Sequence, residues 1–124
     1  FGVGGAALAS MVRASPLLAS HAEFRRYSRL RGTSVLATRL YLDRPAYTTY
    51  TANACWGFDD GVGMTAFDIR ALHAPALDHE PGGVIEVDYY HANSLLCMSD
   101  QQIVAKAKAD LDAMYGEPLS SATV

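Results

Sequence analysis

The sequence predicts an α+β fold in which an antiparallel sheet is flanked by helices. Two observations carry this prediction. Segments that alternate apolar and polar residues, rich in β-branched and aromatic side chains, are joined by turn signals typical of antiparallel hairpins. Segments with apolar stripes and helix-capping residues stand on both sides of them. The expected order is therefore helix, helix, three or four strands, helix.

Two short helices are predicted at the start of the chain. Residues 6–14 are good helix formers with apolar side chains on one side, and Pro16 should break this helix near Ser15. Ser20 and Glu23 have the spacing of a capping box, which predicts a second short helix. The outer face of that helix carries four arginines: Arg25, Arg26, Arg29 and Arg31. Such a charged cluster is typical of a solvated helix face.

Four segments have the patterns of strands. Residues 33–42 alternate to give one apolar face, and residues 47–58 are rich in aromatic residues and threonine. The Asp-Asp-Gly turn signal at 59–61 predicts a hairpin that returns through residues 64–69. Residues 84–90 alternate again, with one buried and one wetter face. We expect the first and the last of these segments to be central strands.

The last third of the chain predicts a loop, a long helix and a tail. Residues 72–83 hold two prolines, two histidines and two glycines, which indicates a surface loop. Ser99 and Gln102 again form a capping box, and an apolar stripe follows over residues 100–115, the longest predicted helix. The tail at 117–124 has no periodicity, and we expect it to fray or to lead into a missing part.

The bulk composition excludes some classes of partner. The chain has 124 residues, half of them hydrophobic, which is enough for one domain or a piece of one. Its net charge is -3, so no basic field could neutralise a phosphate backbone, and we expect no nucleic-acid partner. No apolar run approaches the roughly 20 residues that cross a bilayer, so no transmembrane segment is expected. The abrupt, glycine-rich start suggests part of a longer protein.

No catalytic or metal-ligating residue is predicted. Cys55 and Cys97 lack metal or redox spacing, which favours two core thiols in a reducing compartment. Asp59 and Asp60, with Asp68 further on, are better explained by turn chemistry than by an acid-base or metal cluster. The spacing of the histidines matches no metal site, and no serine elbow is present.

Two patterns leave alternatives open. Gly2, Gly4 and Ala7 have the form of a dinucleotide fingerprint, but a tight strand-to-helix turn is the favoured interpretation because the fingerprint's other elements are missing. Large side chains cluster further along the chain and could wall an apolar ligand cavity or simply fill a core: Trp56, Phe58, Met64 and Phe67. Spacing alone favours the core.

Three stretches, residues 30–42, 51–69 and 82–111, resemble FAD-dependent amine-oxidase-superfamily proteins of the carotenoid (phytoene/zeta-carotene) desaturase type. They look like the middle-to-late part of that family, and the start of the chain is similar to its strand-turn-helix at the flavin domain. The resemblance implies an internal fragment of the substrate-side region. In this fragment, residues 1–20 would be a strand-turn-helix through which the chain re-enters from the missing FAD-binding domain. Residues 21–116 would be the substrate-side sheet and helices, and residues 117–124 would be the tail.

The resemblance implies that a flavin takes hydride or electrons from a hydrophobic, carotenoid-like substrate or from an amine. Gly4 and Gly5 would lie near the flavin, and Trp56, Phe58 and Phe67 would be walls of the substrate site. FAD is expected in the full-length parent and not in this chain alone, which should be inactive by itself.

Partners implied by the resemblance are a hydrophobic small molecule and a larger protein complex or a membrane surface. A plastid or a bacterial cytoplasm would agree with the same resemblance. The alternative from a different class is a non-catalytic structural or accessory subunit that retains the oxidase fold and docks in a larger complex. Within these residues nothing separates the two, because a fold does not fix a function.

Overall fold

The structure, a computed structural model, describes residues 2–117 and 119–124. Phe1, in the glycine-rich start, and Pro118, in the predicted tail, lie outside the described residues. The chain divides into two compact units between Thr33 and Ser34. The first unit is helical, and the second contains a sheet with further helices. The boundary expected between residues 20 and 21 falls inside the first unit.

Three short helices that contact one another make up the first unit: α1 (Gly5–Ala14), α2 (Pro16–Ser20) and α3 (Ala22–Tyr27). The predicted break at Ser15 is confirmed. Pro16 takes the first position of α2, where its missing N–H costs no helical hydrogen bond, and the Ser15 side chain accepts from the backbone N–H of Leu18.

The predicted capping box at Ser20 and Glu23 is wrong. His21 is the N-cap of α3, and its side chain makes no capping hydrogen bond. The Ser20 hydroxyl instead donates to the carbonyl of Leu17, at 2.7 Å, and so closes the end of α2. The predicted second helix is present as α3, but the unpredicted helix α2 extends through Ser20, so Ser20 ends a helix and does not cap the next one.

The second unit holds one four-stranded sheet, β1 (Val35–Leu42), β2 (Ala52–Asp59), β3 (Val62–Asp68) and β4 (Gly83–Tyr90). The order is β1-β4-β3-β2, and every neighbouring pair is antiparallel. The antiparallel α+β prediction is confirmed, and β4 is central as expected. The prediction of β1 as a central strand is wrong, since β1 is an edge and β3 is central. Alternation reports which face is buried, and it does not report how many strand neighbours a segment has.

The hairpin of β2 and β3 turns where the sequence predicts it. Gly61 has φ +74°, a conformation that favours glycine. The predicted strand start at residue 47 is wrong, since β2 begins at Ala52. The preceding backbone is held in a local turn, because the side chains of Thr48 and Asn53 both donate to the carbonyl of Tyr50, at 2.7 Å each.

The predicted long helix is confirmed as α5 (Asp100–Tyr115), after the single turn of α4 (Ile69–Leu72). Ser99 and Gln102 make the full capping box, and Gly116 ends the helix with φ +62°. Ala107 and Leu111 of α5 pack against one face of the sheet. The core cluster also takes buried residues from all parts of the second unit: Leu40, Leu42, Ala46, Val62, Met64, Ala66, Ile85, Val87, Tyr89, Ala92, Leu95, Leu119 and Ala122.

A buried polar network joins α5 to this face of the sheet. The Tyr89 hydroxyl donates to the Asp110 carboxylate at 2.7 Å. Lys106 lies between two carboxylates, 2.9 Å from Asp110 and 2.6 Å from Asp59, and its Nζ is 5.3 Å from the centre of the Tyr89 ring. Burial, together with the hydrogen bond and charge of Asp110, raises the pKa of Tyr89. The network therefore links β4, β2 and α5.

The expectation that the tail frays is wrong. Leu119 and Ala122 are only 3% and 4% exposed, and they belong to the core cluster. The Thr123 carbonyl accepts from the Asp43 N–H, and the Thr123 N–H donates to the Asp43 carboxylate, both at 3.0 Å. Hydrogen bonds from Arg44 and Thr123 lower the pKa of Asp43 to about 2. A segment this short can dock through two apolar residues without showing any periodicity.

The core-thiol prediction is half wrong. Cys55 is half-buried, with its Sγ 3.6 Å from the Met114 Sδ, and burial raises the pKa of its thiol. Cys97 is exposed.

We predict that Tyr89→Phe lowers the free energy of unfolding by about 1–2 kcal/mol, because Asp110 loses a buried donor. Tyr47→Phe is the matched control, since Tyr47 is exposed and its replacement also removes one tyrosine hydroxyl. Urea unfolding measures both variants. Equal stability of the two variants would show that the network does not hold α5 in place.

Candidate functional site

The second face of the sheet carries the candidate site. Successive strand residues point to opposite faces, so the residues between those of the core cluster form this face, here called the open face. Two of its aromatic side chains are among the most exposed of the chain, Trp56 at 70% and Tyr41 at 67%. Large exposed apolar side chains on one continuous face are unusual for a sheet that has no covering partner.

Strand register orders the open face into rows that cross all four strands. The three complete rows are Trp56, Gly63, Tyr90 and Val35; then Ala54, Thr65, Asp88 and Ala37; then Ala52, Phe67, Glu86 and Arg39. The second row, here called the small-residue row, lacks any large apolar side chain. It lies between a row with Trp56 and Tyr90 and a row with Phe67. This strip of small side chains between two rows with aromatic residues is here called the groove, and the small-residue row is its floor.

Glycine at position 63 allows the first row to close over the sheet. A Cβ built on Gly63 would lie 2.1 Å from Cζ3 of Trp56, so the indole ring occupies the place of the missing side chain. The ring thus extends over β3 at one side of the groove, next in the row to Tyr90. An aromatic ring that covers a strand glycine is a known way to stabilise such a position.

Asp88 is the one ionisable residue of the small-residue row. Its Oδ1 is buried and has no hydrogen-bond partner among the residues that the structure describes. Burial raises the pKa of Asp88, the charge of Glu86 raises it further, and Arg39 opposes the shift. A buried oxygen without a partner costs stability, so this carboxyl is the polar group of the face that most needs a ligand.

The third row combines an aromatic wall with an ion pair. Arg39 donates to Glu86 across β1 and β4, and the hydrogen bond and charge of Glu86 raise the pKa of Arg39. Beyond this row, a cavity of about 360 Å³ separates the strand ends from the loop after α4. Its apolar lining includes Tyr41, Val84 and Leu77. The predicted surface loop at 72–83 thus borders one end of the open face.

The structure brings together two of the three predicted substrate-wall residues. Trp56 and Phe67 lie on the open face, on either side of the small-residue row. Phe58 lies in a bulge of β2 next to Gly57, which has φ +98°, and it packs against the core cluster. The bulge shifts the register by which Trp56 and Phe58 would otherwise share a face.

Gly4 and Gly5, predicted to lie near a flavin, begin helix α1. Gly4 is its N-cap, and no side chain caps the helix. A Cβ on Gly4 would meet nothing within 4 Å, whereas one on Gly5 would approach Leu30 at 3.6 Å. Free N–H groups at a helix start suit a phosphate, but no strand precedes α1 within residues 2–4. The described residues therefore do not by themselves fit a dinucleotide such as FAD.

Sequence reasoning missed Asp88 and the role of Gly63, and it noted Tyr90 among the aromatic residues without assigning it to the site. The available signal was the pairing of strands, because only register shows that small residues of three strands fall into one row. Within residues 2–117 and 119–124 no group of three or more histidine, cysteine or acidic side chains could hold a metal ion. Over the same residues no helix is long and apolar enough to span a membrane.

We predict that Asp88→Asn stabilises the protein at pH 7 by about 1 kcal/mol, because it removes a poorly solvated charge. The raised pKa means that the stability contributed by Asp88 is fully present below the unfolded pKa, about 3.9, and is lost as the pH rises through the folded value. The advantage of the variant should therefore vanish near pH 3. Thermal unfolding from pH 3 to pH 7 measures it.

Asp78→Asn is the matched control, because it removes one negative charge from an exposed loop. A pH-independent gain for Asp88→Asn, or the same pH-dependent gain for the control, would contradict the assignment of a buried carboxyl to the groove floor.

Comparison with protein-family models, with curated proteins and with solved structures finds no match to this chain. Its function is therefore inferred from the open face and from the resemblance of its sequence stretches.

Proposed function

We propose that this chain forms the substrate side of a FAD-dependent oxidoreductase, in which a hydrophobic substrate lies along the groove of the open face. The observation that carries the proposal is the small-residue row between two rows with aromatic walls. Ligand sites are typically concave and mostly apolar, with a few placed polar groups, and the groove has this composition. Flavin, held by other parts of the parent protein, would supply the hydride chemistry.

In this proposal the residues of the chain bind and orient the substrate. Trp56 and Tyr90 form one wall, Phe67 forms the other, and the floor gives room because Ala37 and Ala54 have no bulk. An apolar ligand in the groove would remove the exposed surface of Trp56 and the partly exposed surfaces of Tyr90 and Phe67 from water, which supplies the main binding free energy. A ligand that crosses all four strands would have to be elongated.

Asp88 favours an amine over a pure hydrocarbon as the substrate. A polyene laid over the groove would remove the rest of this carboxyl from water without offering it a donor, at a cost of about 1–3 kcal/mol. A protonated amine would donate to the carboxylate and could also contact the face of an aromatic wall. Of the two substrate classes implied by the resemblance, the amine therefore agrees better with the groove floor.

The second candidate function is a non-catalytic accessory subunit that docks a protein on the open face. It is favoured by the exposure of Tyr41 and Val35 on β1, an edge strand beside the groove. A docking role would use the whole face, including the Arg39 and Glu86 pair, whereas a substrate role would depend on the groove. The two functions differ in whether a small molecule binds.

We predict that Trp56→Ala and Phe67→Ala each weaken the binding of decylamine about tenfold, with losses of stability under about 1 kcal/mol for the exposed Trp56. Phe58→Ala is the matched control, since it removes a ring that packs on the core cluster. It should cost about 2–3 kcal/mol of stability and leave the affinity of the folded protein unchanged. Isothermal titration and urea unfolding measure both quantities.

Two further measurements sharpen this test. Gly63→Ala should displace the indole without removing it, so affinity should fall while stability changes little. Wild-type protein should bind decylamine about tenfold more tightly than 1-decanol, and Asp88→Asn should remove that preference. Equal binding of the two probes would rule out the amine, and no binding of either would favour the docking subunit.

A further inference from the structure

The two units of the chain differ sharply in charge. Five of the ten basic residues, all arginines, lie in the first 33 residues, together with only one of the thirteen acidic residues. The other 91 residues hold five basic and twelve acidic residues, so the near-neutral total hides a strongly basic helical unit. Overall net charge, which argues against an anionic partner for the chain as a whole, does not describe this unit.

Three of these arginines line one cleft of α3 and the turn after it. The cavity has a volume of about 400 Å³, and its lining is Ala22, Arg25, Arg26, Ser28 and Arg29. No acidic side chain lines it. In the part of the chain that the structure describes, Arg26 and Arg29 have neither an ion pair nor a side-chain hydrogen bond. Among the described residues of the helical unit, no acidic side chain therefore pairs with the guanidinium groups of this arginine cleft.

Arg25 is held in place differently from its neighbours. Its Nη1 donates to two backbone carbonyls at the end of α2, Ala19 at 3.1 Å and Ser20 at 2.8 Å. The remaining donors of the guanidinium stay available. Arg31, in contrast, uses its Nη1 on the carbonyls of Ser28 and Leu30 and does not line the cleft. One fixed and two unengaged guanidinium groups make a cleft that is prepared for an anion.

We propose that Arg25, Arg26 and Arg29 form a binding site for a phosphate group. Guanidinium groups present paired N–H donors that match the oxygens of a phosphate, and a ligand with that chemistry would neutralise the cleft. The phosphate can belong to a phospholipid headgroup or to a soluble phosphate ester. This site is independent of the groove on the open face and does not depend on the proposed oxidoreductase function.

The test uses the full chain and two probes, inorganic pyrophosphate and vesicles of phosphatidylcholine with one quarter phosphatidic acid. Arg26→Gln/Arg29→Gln should weaken the binding of whichever probe the wild-type protein binds at least tenfold. Thermal stability should not change, because neither side chain supports the fold. Arg13→Gln/Arg31→Gln is the matched control, which removes the same charge outside the cleft and should change binding less than threefold. Arg26→Lys/Arg29→Lys keeps the charge but not the paired donors, and it should bind several-fold more weakly than wild type.

Binding of pyrophosphate alone identifies a soluble phosphate ester as the ligand class, and binding of vesicles alone identifies a lipid headgroup. Either result supports the site if the cleft variant loses binding and the control does not. The proposal is overturned if both double variants lose binding equally, which indicates a diffuse charge effect, or if wild-type protein binds neither probe at 100 mM salt.

Discussion

Helix α5 is fixed to one face of the sheet by a polar network of Tyr89, Asp110, Lys106 and Asp59, which is buried at Tyr89 and Asp110 and reaches the surface at Asp59. The apolar contacts of Leu111 and Ala107 hold the helix against the sheet, but such contacts are non-directional. The charged hydrogen bonds are directional, and they tie the helix to a central strand and to an edge strand at once. This arrangement sets the position of α5 on one face of the sheet.

Within the second unit, helix α5 lies on one face of the sheet, and the opposite face is the open face. Antiparallel sheets often leave one face to water, and that face is then usually polar. Here it carries Trp56, Phe67 and Tyr90, with a buried carboxyl oxygen of Asp88 between them. An aromatic face with an unpaired acceptor in its centre agrees with a surface that binds a ligand. One set of alternate strand residues thus forms the core, and in the proposed function the other set binds the ligand.

Elements that depend on a few consecutive residues could be predicted from the sequence, whereas features that depend on the pairing of strands or on contacts between distant segments could not. Helix α5 was predictable because its capping box, apolar stripe and terminal glycine all lie within 18 consecutive residues, and the hairpin at Gly61 was predictable for the same reason. The edge position of β1 and the docking of Leu119 depend on contacts between distant segments, which leave no periodic signal. Of the site, Trp56 and Phe67 were named from their residue type, whereas the bulge that turns Phe58 to the core was invisible until the register was known.

Trp56 is the only tryptophan of the sequence, so its fluorescence reports on the groove alone. Acrylamide quenching of that fluorescence, measured before and after addition of decylamine, tests most directly whether the open face binds a ligand. We expect free quenching in the protein alone, because Trp56 is 70% exposed. When the ligand is added, we expect a shift to shorter emission wavelength and protection from quenching. A tryptophan that is already shielded in the free protein, or one that remains fully quenchable at saturating ligand, would contradict these expectations.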